Sequence, residues 1–294
     1  MHSSKNIVYV YAPAGEIAGG TESLYQLVDS INRNGGYSCI VWNKHLSDPI
    51  PNKYSGYKVI HGEQVIDNKN NWIIYPEVST QLIDTFKNLK KGIWWLSVDY
   101  NGGQFQDFQN GEITHFYQSF HALRYLQENR VEKLLPLFDY IPAKFTDLQT
   151  EVNKENIVCY NPAKGLEITE KIKLLNPDIC FTPISGMNEE QIIDLLKKSK
   201  VYIDFGDHPG RDRIPREAAI LGNCVLTNSK GSAGFYQDVP IDKKFKNCSV
   251  EQIGSLILDC FDNYELANQE YNLYRSFIKN QKDQLDNLVK QYFL

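Results

Sequence analysis

The sequence predicts an α/β protein with two parallel β-sheets, each covered by helices. Apolar runs of four to seven residues alternate with segments of helical period along the 294-residue chain. This alternation is the pattern of βαβ units whose parallel sheet is buried on both faces. It occurs once in each half of the chain. The length suits two ordinary domains, and a hydrophobic content of 42% is sufficient for a full core.

The first half begins with the strand NIVYVYA (6–12), followed by a helix from about Thr21. Apolar residues recur in this helix at helical spacing, at Leu24, Leu27, Val28 and Ile31. Further strands are predicted at YSCIVW, YKVIH, NWIIYPE and GIWWLSVD. The segment STQLIDTFKNLKK is predicted to be a helix between two of them.

The second half repeats the pattern from the strand ENIVCYN (155–161) onwards. The elements that follow are a helix through Ile168, Ile172 and Leu175, strand DICFTPI, helix EEQIIDLLKKS, strand VYIDF, short helix PREAAIL and strand CVLT. The polar stretch 142–154 lacks apolar periodicity and marks the boundary. We therefore expect Rossmann-like domains at 1–150 and 151–275, facing each other across a cleft. A C-terminal helix at 276–294 could pack on either domain or bridge both.

Charge and composition exclude several classes of protein. A net charge of −5 gives no basic field for holding nucleic acid. The N-terminal apolar run is too short for a signal peptide, and no run approaches the roughly 20 residues that cross a bilayer. The six cysteines are dispersed without a CxxC pair, which favours reduced, mostly buried thiols. The chain is expected in the cytoplasm, with no integral membrane segment.

The stretch DFGDHPGRDRIPREAAILGNCVL (204–226) contains the strongest candidate site. A strand runs into an arginine-rich loop, and the helix after it is predicted to begin at Pro215 and to end before Gly222. Helix N-termini at the carboxyl ends of parallel strands attract anions. Arg211, Arg213 and Arg216 would surround such an anion, and Glu217 could accept bonds from ribose hydroxyls. The residues together indicate a site for a nucleotide diphosphate.

Each of these assignments has a structural alternative. Glu217 could stabilise its own helix start and pair with an arginine on the surface. His208 could contact the ligand, or the segment from Asp207 to Gly210 could be mainly a turn.

Two further loops follow strands of the second half. Asn161, Lys164 and Gly165 lie in the first loop, where a lysine beside a glycine lets a phosphate approach both backbone and ammonium. The second loop, 229–234, contains Ser232, Ala233 and Gly234 and could wrap a diphosphate or a sugar. Either loop could be only a turn.

In the first half, Gly19, Gly20 and Thr21 lie between the first strand and the first helix. The glycine spacing does not fit GxGxxG, so no nicotinamide or flavin cofactor is predicted. We expect this loop to approach a bound substrate, either the sugar part of a donor molecule or the acceptor molecule that would receive it.

Two carboxylates end strands of the same half. Glu77 and Asp99 are candidate catalytic bases, because a base must stand at the cleft within reach of the acceptor hydroxyl. The alternatives are a helix cap for Glu77 and a turn residue for Asp99 before Asn101, Gly102 and Gly103.

Common motifs for other chemistry are missing from the sequence. It contains no HExxH, CxxC or Asp-x-Asp, no P-loop and no Gly-x-Ser-x-Gly elbow. No metal ion and no other cofactor is therefore predicted.

The chain resembles the GT-B glycosyltransferases. The similar segments are GGTESLYQLVDSINRNGGY, VCYNPAKG and FTPISGMNEEQIIDLLKKSKVYIDFGDHPGRDRIPREAAILGNCVL. YPEV, WWLSVDYNGG and FDYIP also look like segments of a bacterial branch found among surface-polysaccharide genes. The resemblance implies two Rossmann-like domains, a nucleotide-sugar donor bound mainly by the C-terminal one, and independence of metal ions.

The resemblance also implies roles for individual residues. Lys164 and an arginine between 211 and 216 would meet the diphosphate, Glu217 would hold the ribose, and the loop from Gly231 to Gly234 would lie near the donor. Retaining members often carry two glutamates eight positions apart, but the residue eight before Glu217 is Pro209. This departure leaves both a retaining and an inverting reaction open.

Three functions fit this sequence. The first is transfer of a sugar from a nucleotide-diphosphate donor to a glycan or lipid-linked acceptor hydroxyl. The second is a catalytically silent nucleotide- or glycan-binding protein of a polysaccharide assembly system. The third, and weakest, is a sugar-nucleotide epimerase with the same two-domain architecture.

Overall fold

The structure is a computed structural model that describes residues 6–42, 49–101, 105–148, 153–246 and 248–294. It divides into two compact units. The first unit is Met1–Tyr140 together with Gln281–Leu294, and the second unit is Ile141–Asn280. The expected boundary at 150/151 falls in 149–152, outside the described residues.

The first unit is built on a seven-stranded parallel sheet with the strand order β3-β2-β1-β4-β5-β6-β7. Its strands are β1 (Ile7–Tyr11), β2 (Tyr37–Trp42), β3 (Val59–His61), β4 (Trp72–Pro76), β5 (Lys90–Trp95), β6 (Ile113–Tyr117) and β7 (Leu134–Pro136). Its first two α-helices are α1 (Gly19–Arg33) and α2 (Phe120–Glu128). Val8 and Val10 of β1 join one core cluster, whereas Tyr9 and Tyr11 join another. Successive side chains of a strand point to opposite faces, so apolar residues cover both faces of this sheet.

The prediction of a helix at STQLIDTFKNLKK is wrong. The chain forms 3₁₀ turns over Glu77–Leu82 instead, and Ser79 leaves helical geometry at φ −122° and ψ 19°. Ser79 and Thr80 are buried, and hydroxyl side chains of this kind compete with helical backbone hydrogen bonds. Ile83 still packs into the core, which accounts for the apolar spacing seen in the sequence.

The second unit is built on a four-stranded parallel sheet with the order β11-β10-β8-β9. Its strands are β8 (Glu155–Tyr160), β9 (Cys180–Pro183), β10 (Ser199–Asp204) and β11 (Cys224–Thr227). Its helices are α3 (Ala143–Thr146), α4 (Leu166–Leu175), α5 (Glu189–Lys198), α6 (Arg213–Ile220), α7 (Val250–Asp262), α8 (Tyr264–Gln269) and α9 (Asn272–Lys279). The predicted alternation of strands and helices is therefore confirmed in this unit.

The chain returns to the first unit through its last helix, α10 (Gln281–Phe293). Asp286 of α10 accepts hydrogen bonds from Arg33 Nη1 and Nη2 at 2.5 and 2.9 Å and from Ser30 Oγ at 2.5 Å. Phe293 contacts Trp72 edge to face. The helix expected at 276–294 is thus two helices, α9 and α10, which belong to different units.

Most of the cysteines behave as the sequence indicates. Cys39, Cys159, Cys224 and Cys260 are buried, and all six thiols are free of disulfides. Cys180 also lies in an apolar run of the sequence, which predicts a buried thiol, but it is exposed on the edge strand β9. Among the described residues, no helix has the length and apolar character needed to cross a membrane.

Candidate anion-binding site in the second unit

The candidate site lies where strands β8, β10 and β11 end. Since the strands are parallel, the loops 161–165, 205–212 and 228–234 leave the same edge of the sheet. The loops also touch each other through their backbones. A Cβ atom added at Gly165 would lie 2.5 Å from Phe205 C, and one added at Gly231 would lie 2.0 Å from His208 O. Both glycines have positive φ, so glycine is required at both positions.

Helix α6 begins at this edge, with Asp212 as its N-cap residue. It starts two residues before the predicted Pro215, which occupies the first turn, where a missing N–H costs no hydrogen bond. Gly222 follows the helix in the left-handed region, at φ 89°, and donates its N–H to Ala219 O at 3.1 Å. The predicted glycine stop is therefore confirmed.

Lys164, His208 and Asp212 meet in front of α6. Lys164 Nζ donates to Asp212 Oδ1 at 2.6 Å, and His208 Nδ1 lies 2.8 Å from Asp212 Oδ2. Because a carboxylate can only accept, Nδ1 carries the proton of this bond. On the other side of the ring, His208 Nε2 lies 3.9 Å from Asp204 Oδ1. These four residues, Asp204, His208, Asp212 and Lys164, form what we call the charge cluster.

The charge cluster changes the pKa of its members. Burial raises the pKa of Asp204. Burial alone would lower the pKa of His208, but the carboxylates of Asp212 and Asp204 outweigh it and raise that pKa. Burial would raise the pKa of Asp212, yet His208 and Lys164 together lower it. The cluster therefore favours a charged His208 beside a charged Asp212.

The three arginines have different surroundings. Arg216 is only 1% exposed and donates to two backbone carbonyls, Arg211 O at 2.7 Å and Asp212 O at 3.1 Å. The Arg211 guanidinium is buried 4.8 Å from the ring centre of Phe277. Arg213 Nη2 donates to Glu217 Oε1 at 3.0 Å. Arg216 thus stabilises the loop. Arg213 pairs with Glu217, as in the structural alternative, but the pair is mostly buried and not on the surface.

A small pocket opens beside the charge cluster. It is lined by His208, Arg211, Asp212, Pro215, Arg216, Thr227, Ser232, Ala233, Asp238, Val239 and Tyr274. Buried polar atoms of this lining that find no hydrogen-bond partner among the described residues include His208 Nε2, Thr227 Oγ1 and Tyr274 Oη. Such atoms are costly to bury unless a ligand or water satisfies them.

The other residues predicted to bind the nucleotide-sugar donor hold the loops together. Ser232 Oγ donates to Gly210 O at 2.6 Å, and Ser232 N donates to His208 O at 2.8 Å. Ala233 is buried and lines the pocket, and Gly234 ends the 3₁₀ turn Gly231–Gly234. Asn161 Oδ1 accepts from Ala163 N at 3.0 Å, which shapes the loop that contains Lys164. The structure thus places the predicted residues of the three loops at one edge of one sheet, and it places Arg213, Arg216 and Glu217 in the helix that begins there.

Asp204, His208 and Asp212 also offer ligand atoms that all lie within 4.8 Å of one another, a spacing that suits a metal ion. However, the Lys164 ammonium and the His208 ring already engage both oxygens of Asp212. The contacts of Asp212 are thus those of a charge cluster.

The predicted residues of the first unit lie at the carboxyl edge of its own sheet. Glu77 follows β4 and is 4% exposed, and its Oε2 accepts from Leu96 N at 2.9 Å. Burial raises the pKa of Glu77 to about 7, against the opposing effect of backbone N–H donors. Asp99 is exposed in the 3₁₀ turn Val98–Asn101 after β5. The two candidate bases therefore differ strongly in solvent access.

The glycine loop of the first unit leads directly into α1. Gly19 and Gly20 are the first residues of this helix, and Thr21 behind them is buried. A Cβ atom at Gly20 would lie 3.7 Å from the Leu96 side chain, so this helix start and Glu77 both reach Leu96.

Sequence reasoning assigned no role to several residues of the candidate site. Asp204 is the last residue of β10, and Asp212 directly precedes α6. Their position beside the arginines is the sequence feature that could have identified them as site residues. Thr227 ends β11, but Tyr274 comes from the distant helix α9. No local pattern links Tyr274 to the site.

No protein-family model and no curated protein matches this chain. Solved structures resemble it over nearly its whole length. A glycosyltransferase from Rickettsia africae ESF-5 is 12% identical, with a TM-score of 0.67 over 98% of this chain and 97% of that chain. Sucrose-phosphate synthase from Thermosynechococcus elongatus is 11% identical, with a TM-score of 0.70 over 98% and 99% of the two chains.

An α-glucosyltransferase solved in complex with UDP is 12% identical, with a TM-score of 0.62 over 97% of this chain and 100% of that chain. These structures have the fold that the resemblance in sequence implies for this chain. The chain has the GT-B fold.

Proposed function

We propose that the chain is a glycosyltransferase that moves a sugar from a nucleotide-diphosphate sugar to an acceptor hydroxyl without a metal ion. One observation carries this proposal. Lys164, His208, Arg211 and the N-terminus of α6 gather at the carboxyl edge of the second sheet, where ligands bind in open α/β folds. The GT-B fold supports the same reading, and a structural neighbour was solved with UDP.

The donor diphosphate would bind in front of α6. Lys164, His208 and Arg211 would neutralise the leaving diphosphate, the task that a divalent ion performs in other enzymes. Glu217 would accept from the ribose hydroxyls, and the turn Gly231–Gly234 would lie beside the donor. Arg216 would keep the loop in shape through its two carbonyl contacts.

The acceptor would bind at the first unit, near Gly19, Gly20 and Thr21. Either Glu77 or Asp99 would take the proton from the acceptor hydroxyl if the reaction inverts. A pKa of about 7 suits Glu77 for proton transfer near neutral pH, and exposure suits Asp99 for contact with an incoming acceptor. We propose a glycan or lipid-linked acceptor and a cytoplasmic location, as the sequence suggests.

Calorimetric titration with UDP and with GDP tests the donor site. Lys164→Ala should weaken nucleotide binding by roughly tenfold or more, since a hydrogen bond to a charged group is lost. Lys171→Ala is the matched control, because Lys171 is an exposed lysine of α4 that pairs only with Glu167 among the described ion pairs. Equal binding by wild type and Lys164→Ala would remove the donor-site assignment.

A catalytically silent nucleotide-binding protein is the second candidate. Glu77 is bound to the backbone of Leu96, and Glu217 is paired with Arg213, so both acids already have internal partners. Hydrolysis of a UDP-sugar by the purified chain distinguishes the two functions. Hydrolysis that disappears in Glu77→Gln or Asp99→Asn favours the enzyme, whereas tight binding without turnover in any acceptor mixture favours the silent protein. Isomerisation of the donor without an acceptor would instead indicate an epimerase.

A further inference from the structure

Asp212 occupies the N-cap position of α6 but does not cap the helix. An N-cap aspartate ordinarily accepts from a backbone N–H of the first turn. The Asp212 side chain makes no such bond, and its two oxygens turn to Lys164 and His208 instead. Asp212 therefore lacks the N-cap hydrogen bond that commonly stabilises a helix, and it binds two cationic side chains instead.

The position of Asp212 resembles that of a bound anion. A phosphate placed before a helix N-terminus would also accept from a lysine and a histidine. Asp212 holds both side chains in one orientation, so they need little reorganisation to bind an anion. This orientation is a function that a simple helix cap would not supply.

The surroundings of His208 determine its charge. Asp212 faces its Nδ1, Asp204 at the end of β10 faces its Nε2, and Lys164 reaches the same Asp212 from the loop after β8. Arg211, Arg216 and Asp238 line the pocket beside the ring, and Tyr274 joins them from α9. His208 is 2% exposed, and its Nε2 has no hydrogen-bond partner among the described residues.

We propose that Asp212 is a positioning residue that holds Lys164 and a protonated His208 ready for a diphosphate, so that binding weakens when the ring loses its proton. This inference rests on the proposed donor site and adds a role for Asp212 within it. The protonated ring offers a second N–H at Nε2 and a positive charge, and the neutral ring offers neither. Removing the Asp212 charge lowers the proton affinity of the ring.

The pH dependence has a definite sign. The pKa of His208 is raised, so the charged ring persists to a higher pH than in a free histidine. Diphosphate affinity should therefore be highest below this pKa and fall as the pH rises through it. In Asp212→Asn the fall should come about 1 pH unit lower or more, because an opposite charge at this distance shifts a pKa by that order.

The experiment measures the binding of UDP, GDP and inorganic pyrophosphate by calorimetry from pH 5.5 to 8.5, a range of about 3 units around the usual pKa of histidine. Four proteins are compared: wild type, Asp212→Asn, His208→Gln and Asp207→Asn. Asp207→Asn is the matched control, because Asp207 is an exposed acid of the same loop that pairs with Lys230. Ionisation of the ligand contributes equally to all four proteins, so only differences between them count.

The expected result is a loss of affinity with rising pH in wild type and Asp207→Asn, roughly tenfold beyond that of His208→Gln. The midpoint should move down in Asp212→Asn. NMR titration of the His208 ring, assigned by its absence in His208→Gln, should show the same downward shift. Thermal melting of each variant confirms that the protein compared is folded.

Each outcome has one interpretation. If Asp212→Asn and wild type share one midpoint, or if His208→Gln keeps the wild-type profile, the inference is wrong while the proposed function stands. If pyrophosphate binds with the expected profile but UDP and GDP do not bind more tightly than pyrophosphate, the inference holds and the nucleotide part of the proposed function fails. If wild type binds none of these ligands, both are wrong.

Discussion

Arg213 donates to Glu217 at 3.0 Å, one helical turn away, so the acid expected to bind a ribose already has a cationic neighbour. Both side chains are mostly buried, so solvent and salt screen this ion pair less than an exposed one. A carboxylate accepts several hydrogen bonds, and Arg213 uses Oε1. The pair holds the carboxylate of Glu217 in one orientation, and the proposed ribose contact has to be made from that orientation.

The role of Glu217 is tested by comparing two ligands. Glu217→Gln should weaken UDP binding by roughly tenfold, because the carboxylate that accepts from the ribose is neutralised. Pyrophosphate has no ribose, and its affinity should stay unchanged in calorimetric titration. An equal loss for both ligands would mean that Glu217 acts only through the start of α6.

The close contact at Gly165 should appear in stability. Gly165→Ala is expected to lower the free energy of unfolding by about 3 kcal/mol, because its Cβ would collide with the backbone of Phe205 and Gly206. Gly186 is the control, since it has a similar φ of 65° but no atom within 4 Å of an added Cβ. Gly186→Ala should cost about 1 kcal/mol, for the left-handed backbone alone. Equal losses in urea denaturation would contradict the close approach of the two loops.

Glu77 should make stability depend on pH. Its pKa is raised to about 7 in the folded chain, so the folded state binds a proton more tightly than the unfolded state between pH 4.5 and 7. The unfolding free energy therefore falls as the pH rises through this range. Compared with Glu77→Gln, which cannot ionise, wild type should lose up to about 3 kcal/mol between these limits. Parallel pH profiles of the two proteins in chemical denaturation would show that Glu77 is not buried in this way.

The contact between α10 and α1 should stabilise the first unit. Asp286→Ala is expected to lower the unfolding free energy by about 2 kcal/mol, because two bonds from Arg33 and one from Ser30 are lost. Asp283→Ala is the control on the exposed face of the same helix and should change it by less than about 0.5 kcal/mol. A double-mutant cycle with Arg33→Ala measures the coupling directly. No coupling would contradict this packing of α10.

Much of the fold was predictable from the sequence because strand periodicity is a local property. The runs around β1 and β10 are apolar on both faces, as buried parallel strands require, and the segments between most strands have a helical period. The 3₁₀ segment Glu77–Leu82 was not predictable from spacing alone. Leu82 and the following Ile83 pack against the core although Val78 is exposed, and only the burial of Ser79 and Thr80 shows why no helix forms.

The sequence by itself determined two parallel-sheet units and the carboxyl-edge loops where charged residues collect, because chain order and strand direction place those loops together. Tertiary structure decided which charges pair. The Asp212 side chain accepts a hydrogen bond from Lys164, which is 48 residues earlier, and does not bond to its own helix. Tyr274 lines the pocket from α9. Such contacts depend on the distance between side chains in the folded chain, and no spacing along the sequence encodes that distance.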